Sequence, residues 1–409
     1  MDNKCMSFSD STKFMFNADS VIIFNRLNGQ WIKISRECYE ILRNCMSEKL
    51  TEEEMLSRLA DEEDRAYIRK MLDLLDSMGC MYRKTVQKVN NVSFAITHRC
   101  NLKCIHCMVN AQYGNEQTDY FDTETICRLL NKIVSVEPEV VVLTGGEPLL
   151  RKDFLDILSH LRSKYSGKIT LMTNGTLFNS QNITPIIEKV NNIDISLDGA
   201  DEESCSVIRG KGVFDRVVNN IDILKQKGFE NISLSMVLSN NNLRYAQQFF
   251  ELNRKLHTFP MLRALSYEGR AKDNKTLLEN SLTTDRICQG SDTNSNIEQK
   301  CCCCTAGYDQ ITIEANGDIF PCNLFGSEEF KLGNITKIDN LMDILNTNKG
   351  SFVCRAIEKY EPDKFLKCKE CNINYLCWSC LYPMYSLSDD EFEERCKAKK
   401  QLLSNVWEE

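Results

Sequence analysis

Short apolar runs separated by amphipathic stretches occupy the middle of this chain. The runs are Val92–Thr97, Val140–Thr144, Ile169–Thr173, Ile193–Leu197, Ile232–Leu238 and Leu262–Tyr267. Between them, Thr123–Val134, Phe154–Tyr165, Thr184–Val190, Phe214–Lys227 and Leu243–Leu256 carry apolar residues at helical spacing. Steady alternation of strand and helix builds parallel βα units. Six of them predict an α/β fold, a partial (β/α)6 TIM barrel over 92–271, with its chemistry at the C-terminal ends of the strands. The unusual loop residues fall at those ends: a cysteine triplet, Gly145-Gly146-Glu147, Asn174-Gly175 and Ser196-Leu-Asp198-Gly199.

The flanks follow other patterns. In residues 1–88, Val21-Ile-Ile-Phe24 and Trp31-Ile-Lys-Ile34 read as a hairpin turning through Asn28-Gly29. Three helices follow: one capped by Ser35, one opened by Thr51-Glu-Glu-Glu54, and one over Ala66–Met78. Hairpin plus three short helices predicts a winged-helix-like domain. Residues 272–300, rich in Asn, Asp, Thr, Ser and Lys, read as a linker. Residues 301–409 form a cysteine-rich domain that opens on a hairpin, Ile311 to Cys322, with Asn316-Gly317 at its turn. Few large apolar residues are available there, so metal ligation is expected to hold the segment together.

Net charge is −8 and residues 1–90 balance 14 Lys+Arg against 15 Asp+Glu. That is a poor electrostatic footprint for the DNA binding a winged helix would otherwise suggest, so no nucleic-acid partner is expected. Met1-Asp-Asn-Lys is polar and no apolar run is long enough to span a bilayer. The expectation is a cytoplasmic protein with no membrane partner. Twenty-one cysteines, unevenly clustered, then point to metal ligation rather than disulfides.

Cys100-x3-Cys104-x2-Cys107 places three thiols in one short loop after the first strand. Three close thiolates can hold a metal centre but leave one coordination position open, as reactive sites do. For Cys368-x2-Cys371 and Cys377-x2-Cys380 the competing reading is a zinc ribbon.

The triplet followed by Gly145-Gly146-Glu147-Pro148 resembles the radical SAM superfamily. The resemblance implies a [4Fe–4S] cluster on Cys100, Cys104 and Cys107, with S-adenosylmethionine chelating the fourth iron. It implies that reductive cleavage yields a 5′-deoxyadenosyl radical, and that an electron donor such as flavodoxin or ferredoxin supplies the electron. It places His106, Gly145, Gly146, Glu147, Asn174, Ser196 and Arg209 at the cofactor. Gly145 and Gly146 would admit the methionine amine, His106 would face adenine through its backbone, and Arg209 would hold the carboxylate. Gly269-Arg270-Ala271 resembles the barrel end of the peptide-modifying branch.

The C-terminal part resembles the SPASM domain, which implies two auxiliary [4Fe–4S] clusters. The first would use Cys304, Cys322 and Cys380, with a fourth ligand among Cys301, Cys302, Cys303 or Cys354, or none. The second would use Cys368, Cys371, Cys377 and Cys396. Cys377-x2-Cys380 is one residue shorter than the family spacing. The N-terminal pattern resembles the RiPP recognition element, which binds leader peptides by strand addition; docking or dimerisation is the competing role. Together these imply a maturase of a ribosomal peptide, the precursor carrying a leader and being Cys-rich, and a Cys thioether (sactionine or ranthionine) as the crosslink. One alternative is an anaerobic sulfatase-maturating, formylglycine-forming enzyme. That family places an aspartate base where this chain has Asn323, and generally lacks the N-terminal domain. Another, of a different class, is an Fe–S sensing transcriptional regulator, in which the Gly-Gly-Glu-Pro element has no purpose.

Overall fold

The computed structural model describes residues 5–82, 89–114, 118–238, 242–278, 301–302, 304–346, 356–378, 380–403 and 405–407. The chain forms two compact units: Met1–Gln87 with Asn296–Thr305 and Arg355–Glu409, and Lys88–Ser295 with Ala306–Cys354.

In the first unit, strands β1 (Thr12–Phe16), β2 (Ser20–Asn25) and β3 (Trp31–Ser35) form an antiparallel sheet in that order. Helices α1 (Arg36–Ser47), α2 (Glu52–Ser57) and α3 (Glu62–Ser77) cover one face. Ser35 caps α1 by accepting the Cys38 N–H, and Thr51 with Glu54 makes a reciprocal capping box on α2. Val21, Ile23 and Ile34 pack against Leu42, Met55, Met71 and Leu75. Ile22 and Phe24, on the other face of β2, are also fully buried. Part of that burial comes from the C-terminal segment: the Phe24 ring lies 4.6 Å from that of Tyr375. Arg26 pairs with Glu361 at 2.8 Å, and the Cys301 N–H donates to the Gly29 carbonyl at 2.9 Å. The unbroken apolar run Val21–Phe24 has this cause, since a strand covered on both faces does not alternate.

The second unit holds the barrel. Strands β4 (Asn91–Ala95), β5 (Arg99–Cys100), β6 (Gln112–Tyr113), β7 (Val140–Thr144), β8 (Lys168–Thr173), β9 (Asn192–Ser196), β10 (Ile232–Leu238) and β11 (Phe259–Ala264) follow in the chain. Six of them, in the order β11-β10-β9-β8-β7-β4, pair in parallel, and β5 pairs with β6 apart from them. Val92, Phe94, Val141, Leu143, Ile169, Leu171, Ile193 and Ile195 are fully buried beneath the helices. β11 starts three residues before the expected run. Pro260 makes its opening unlike a strand, yet β11 is the sheet edge, where a proline costs no ladder bond.

Strand β12 (Gln310–Ile313) pairs in parallel with β4, in the register Ile311 to Val92 and Ile313 to Phe94. β13 (Asp318–Phe320) and β14 (Gly333–Asn334) extend the same sheet antiparallel. The cysteine-rich hairpin therefore gains its core by continuing the barrel sheet, with Phe325 and Phe330 rings stacked edge-on at 4.8 Å behind it. Of the expected linker, only 272–278 lies within the described residues, in short helices Arg270–Asp273 and Lys275–Leu278. Among the described residues no helix is long and apolar enough to cross a membrane.

Candidate active site and cluster loop

The loop after β4 turns back over the strand ends, and charged side chains hold its base. Arg99 grips Asp119 through two hydrogen bonds of 3.1 and 2.7 Å, and Arg151 joins the same carboxylate at 3.2 Å. Bidentate guanidinium–carboxylate pairs fix geometry as well as charge. At the far end, Arg270 donates to the Cys104 carbonyl at 3.0 Å and the Ala111 carbonyl at 2.6 Å. Gly269 (φ +54°) permits this approach: a Cβ there would sit 2.4 Å from the Met108 carbonyl oxygen.

Cys100 and Cys104 are buried, Cys107 is partly so, and all three line one cavity of about 410 Å³. Every barrel strand contributes to its wall, through Ser93, Thr144, Met172, Ser196, Val237 and Arg263, and Thr312 adds β12. The sulfurs have soft electrostatic support. Leu102 N–H donates to Cys100 Sγ and Ala111 N–H to Cys107 Sγ, both at 3.4 Å; Arg209 donates to Cys104 Sγ at 3.8 Å. Burial pushes the Cys100 thiol up to about 11, a cost that metal ligation reverses by displacing the proton. Among the described residues no three His, Cys, Asp or Glu side chains converge on a single ion. A cubane, holding each thiolate on its own iron, asks for a wider spread than one ion does.

Gly145, Gly146, Asn174, Ser196, His106 and Arg209 line the same cavity. The glycines serve a closer neighbour as well. A Cβ on Gly145 would lie 2.2 Å from the Thr97 carbonyl oxygen, and one on Gly146 2.2 Å from that of Arg99. The two loops are instead stitched together, Gly146 N–H donating to Thr97 at 2.9 Å and Glu147 N–H to Arg99 at 2.8 Å. Glu147 is not on the cavity wall. Wholly buried, it accepts from Thr173 Oγ1 and the Asn174 N–H, both at 2.7 Å, and from the Leu149 N–H at 3.0 Å. Burial pushes its pKa up against those three donors.

Asp198, placed by its sequence among the unusual residues at the strand ends but not among the cofactor contacts, holds two of those contacts. It is fully buried with φ +56°, and one carboxylate oxygen meets His106 Nε2 at 2.7 Å and Arg209 at 2.5 Å. Burial alone would raise the Asp198 pKa, but Arg209 and then His106 overturn this and hold it below the usual carboxylate range. The pairing leaves His106 Nδ1 and Arg209 Nε buried without a hydrogen-bond partner among the described residues. Unpartnered polar atoms in a cavity wall invite a polar ligand. A sulfonium cofactor with an amino acid end and a ribosyl adenine offers such groups, so these residues fit S-adenosylmethionine. Its positive φ appears only in the folded chain, so no pattern in the sequence marks Asp198 for this role.

In the other unit, Cys368 interacts electrostatically with Cys371, Cys377 and Cys396, the four expected to share one auxiliary cluster. Arg395 lies over the Trp378 ring at 3.6 Å and donates to Cys377 Sγ at 3.7 Å. Cys301, Cys302 and Cys304 are buried, while Cys322 and Cys380 are partly exposed. Cys303 and Cys354 lie outside the described residues.

Comparison with known proteins agrees with this geometry. Residues 94–252 match the radical SAM superfamily, and residues 302–372 match the iron–sulfur cluster-binding SPASM domain. Mycofactocin maturase MftC of Mycolicibacterium smegmatis is 27% identical over 188 residues, 44% of this chain and 46% of that one, so the match spans less than half of that relative. Streptococcus suis SuiB bound to its precursor peptide SuiA superposes with a TM-score of 0.58 at 16% identity, covering 94% of this chain and 98% of SuiB. anSMEcpe with bound AdoMet and the Cp18Cys peptide gives 0.54 at 19% identity, covering 78% of this chain and 98% of that one. The chain thus carries a radical SAM domain over residues 94–252 and a SPASM domain over residues 302–372, and the residues of its site fit S-adenosylmethionine and [4Fe–4S] clusters.

Proposed function

We propose that the chain is a peptide maturase that binds a leader peptide and crosslinks the precursor through hydrogen abstraction, the new bond being a cysteine thioether. The observation that carries this reading is the extent of fold likeness. SuiB, solved with a precursor peptide, matches 94% of the chain. anSMEcpe is matched over nearly its whole length yet covers only 78% of this chain. The first unit also offers a place for a leader. Within the described residues β3 pairs only with β2, so its outer edge is open to an added strand.

In the second unit the three thiolates would hold the cluster, and Arg209, His106, Asn174 and Ser196 would orient the cofactor. When bound, that cofactor supplies the hydrogen-abstracting radical. This chain's own residues exclude water and fix the substrate carbon against it. Asp198 supports the reading by aligning two cavity-wall side chains at once. Formylglycine formation would need a proton acceptor other than Asn323, which lies in the cavity wall and cannot take a proton. An electron carrier of the flavodoxin or ferredoxin class is the proposed reductant.

Co-expression with a short Cys-containing precursor peptide tests the reading. The account expects a mass loss of two per crosslink and thiols that no longer alkylate. A peptide that returns with its mass and thiols intact, from a protein that cleaves S-adenosylmethionine, contradicts it.

A further inference from the structure

The cavity wall includes Gln310, Thr312 and Glu314 in alternation, while Ile311 and Ile313 are buried on the opposite face of β12. β12 lies directly beside β4, the strand that launches the cluster loop, so this row stands next to Ser93 and Ala95. Glu314 is the one carboxylate among the described residues lining the cavity. Its backbone is anchored, the Glu314 N–H donating to Asp318 at 2.8 Å and its carbonyl accepting from Gly317 at 2.8 Å. Its carboxylate has no hydrogen bond or ion pair among the described residues. Asp318 across the same hairpin is by contrast held by Lys331 at 3.0 Å and Asn334 at 2.8 Å. An anchored carboxylate left without a partner in a reaction cavity is available to a substrate.

We propose that Glu314 is the proton acceptor for the substrate thiol, a catalytic residue of the crosslinking reaction; the assignment rests on the function proposed above. In the balanced step the S–H bond breaks and its proton passes to the Glu314 carboxylate. A carbon–sulfur bond forms at the carbon that has given a hydrogen atom to the 5′-deoxyadenosyl radical. The one surplus electron leaves to an auxiliary iron–sulfur cluster. Burial, and then Asp318, push the Glu314 pKa above its ordinary value, which improves it as a base at neutral pH. The charged groups sharing the cavity are Arg209, Arg263, Arg270, His98 and His106, with the three thiols.

The test uses the precursor peptide that wild-type protein crosslinks. Glu314→Gln should still form 5′-deoxyadenosine that carries deuterium from a labelled peptide, while crosslinked product falls about 100-fold, the lower end for a lost general base. Glu314→Asp should restore part of the rate, and the acid limb of the wild-type pH profile should vanish in Glu314→Gln. In the protein without peptide, carbodiimide and an amine should modify Glu314 at pH 6 several-fold faster than the exposed Glu328. Crosslinking by Glu314→Gln at the wild-type rate, loss of deuterium transfer together with the crosslink, or an unmodified Glu314 would overturn the assignment. A wild type that cleaves S-adenosylmethionine but crosslinks no peptide sinks the crosslinking reading itself.

Discussion

At the scale of single residues, Asp198 stands behind two side chains of the cavity wall. It holds His106 and Arg209 through one carboxylate oxygen and accepts the Val237 N–H at 2.5 Å through the other. Removing one partner of such a buried group is costly, about 3–5 kcal/mol, because the other charges are left uncompensated. Its folded pKa is depressed, so its contribution is fully present above the unfolded value of about 3.9 and is lost as pH falls through the folded value. Asp198→Asn should therefore lower Tm by several degrees at pH 7, with the gap to wild type narrowing as pH drops below about 4. Thermal melts across pH check this; a gap that stays constant would mean the charge is not what matters. Gly146→Ala meets the Arg99 carbonyl and should cost at least about 2 kcal/mol, loosening the cluster loop. Iron content after anaerobic reconstitution and gel filtration reads this out, the variant losing up to one third of the wild-type iron, the share of one cluster in three. These roles differ in legibility. The thiol spacing was plain in the sequence, whereas the partners of Glu147 and Asp198 arise from strand ends that meet only on folding.

At the scale of elements, strands with ordinary patterns were legible and those defined by neighbours were not. β7 begins and ends at the expected residues, and β4 and β8 to β10 fall within two of them. β1 went unread because Thr12-Lys-Phe-Met-Phe16 has no clean alternation; its register is set by β2, Phe14 lying opposite Ile23. β12 read as half of a free hairpin, and nothing in its own residues announces that it pairs with β4. The β3 edge yields a sharper prediction. Asn25 N–H donates to Gln30 and Arg36 N–H to Asp19, which sets the alternation of the β2–β3 ladder. By that alternation Ile32 and Ile34 bond to β2, while the Lys33 N–H faces the open edge. Lys33→Pro removes one outward donor and spares the ladder. Affinity for the leader, measured by fluorescence anisotropy, should fall about tenfold, the equivalent of one lost backbone hydrogen bond. Cofactor cleavage by dithionite-reduced protein should not change. Unaltered leader affinity would move the binding site elsewhere.

At the scale of the whole molecule, the order of patterns along the chain was readable, and the partnership between its ends was not. Ile22 and Phe24 have a covered outer face because Tyr375 and Glu361, more than three hundred residues later, belong to the same unit. A chain shortened by its first 88 residues would leave Tyr375 and Glu361 without those partners, so a point change on β3 is the cleaner probe of leader binding. The proposed function needs Cys100, Cys104 and Cys107 to hold a cluster that leaves one iron for the cofactor. The measurement is 5′-deoxyadenosine formed from S-adenosylmethionine by anaerobically reconstituted, dithionite-reduced protein, in wild type and in Cys104→Ala. The account predicts formation by wild type and none by the variant. Formation by Cys104→Ala at the wild-type rate, or none by wild type with its clusters fully loaded, would contradict it.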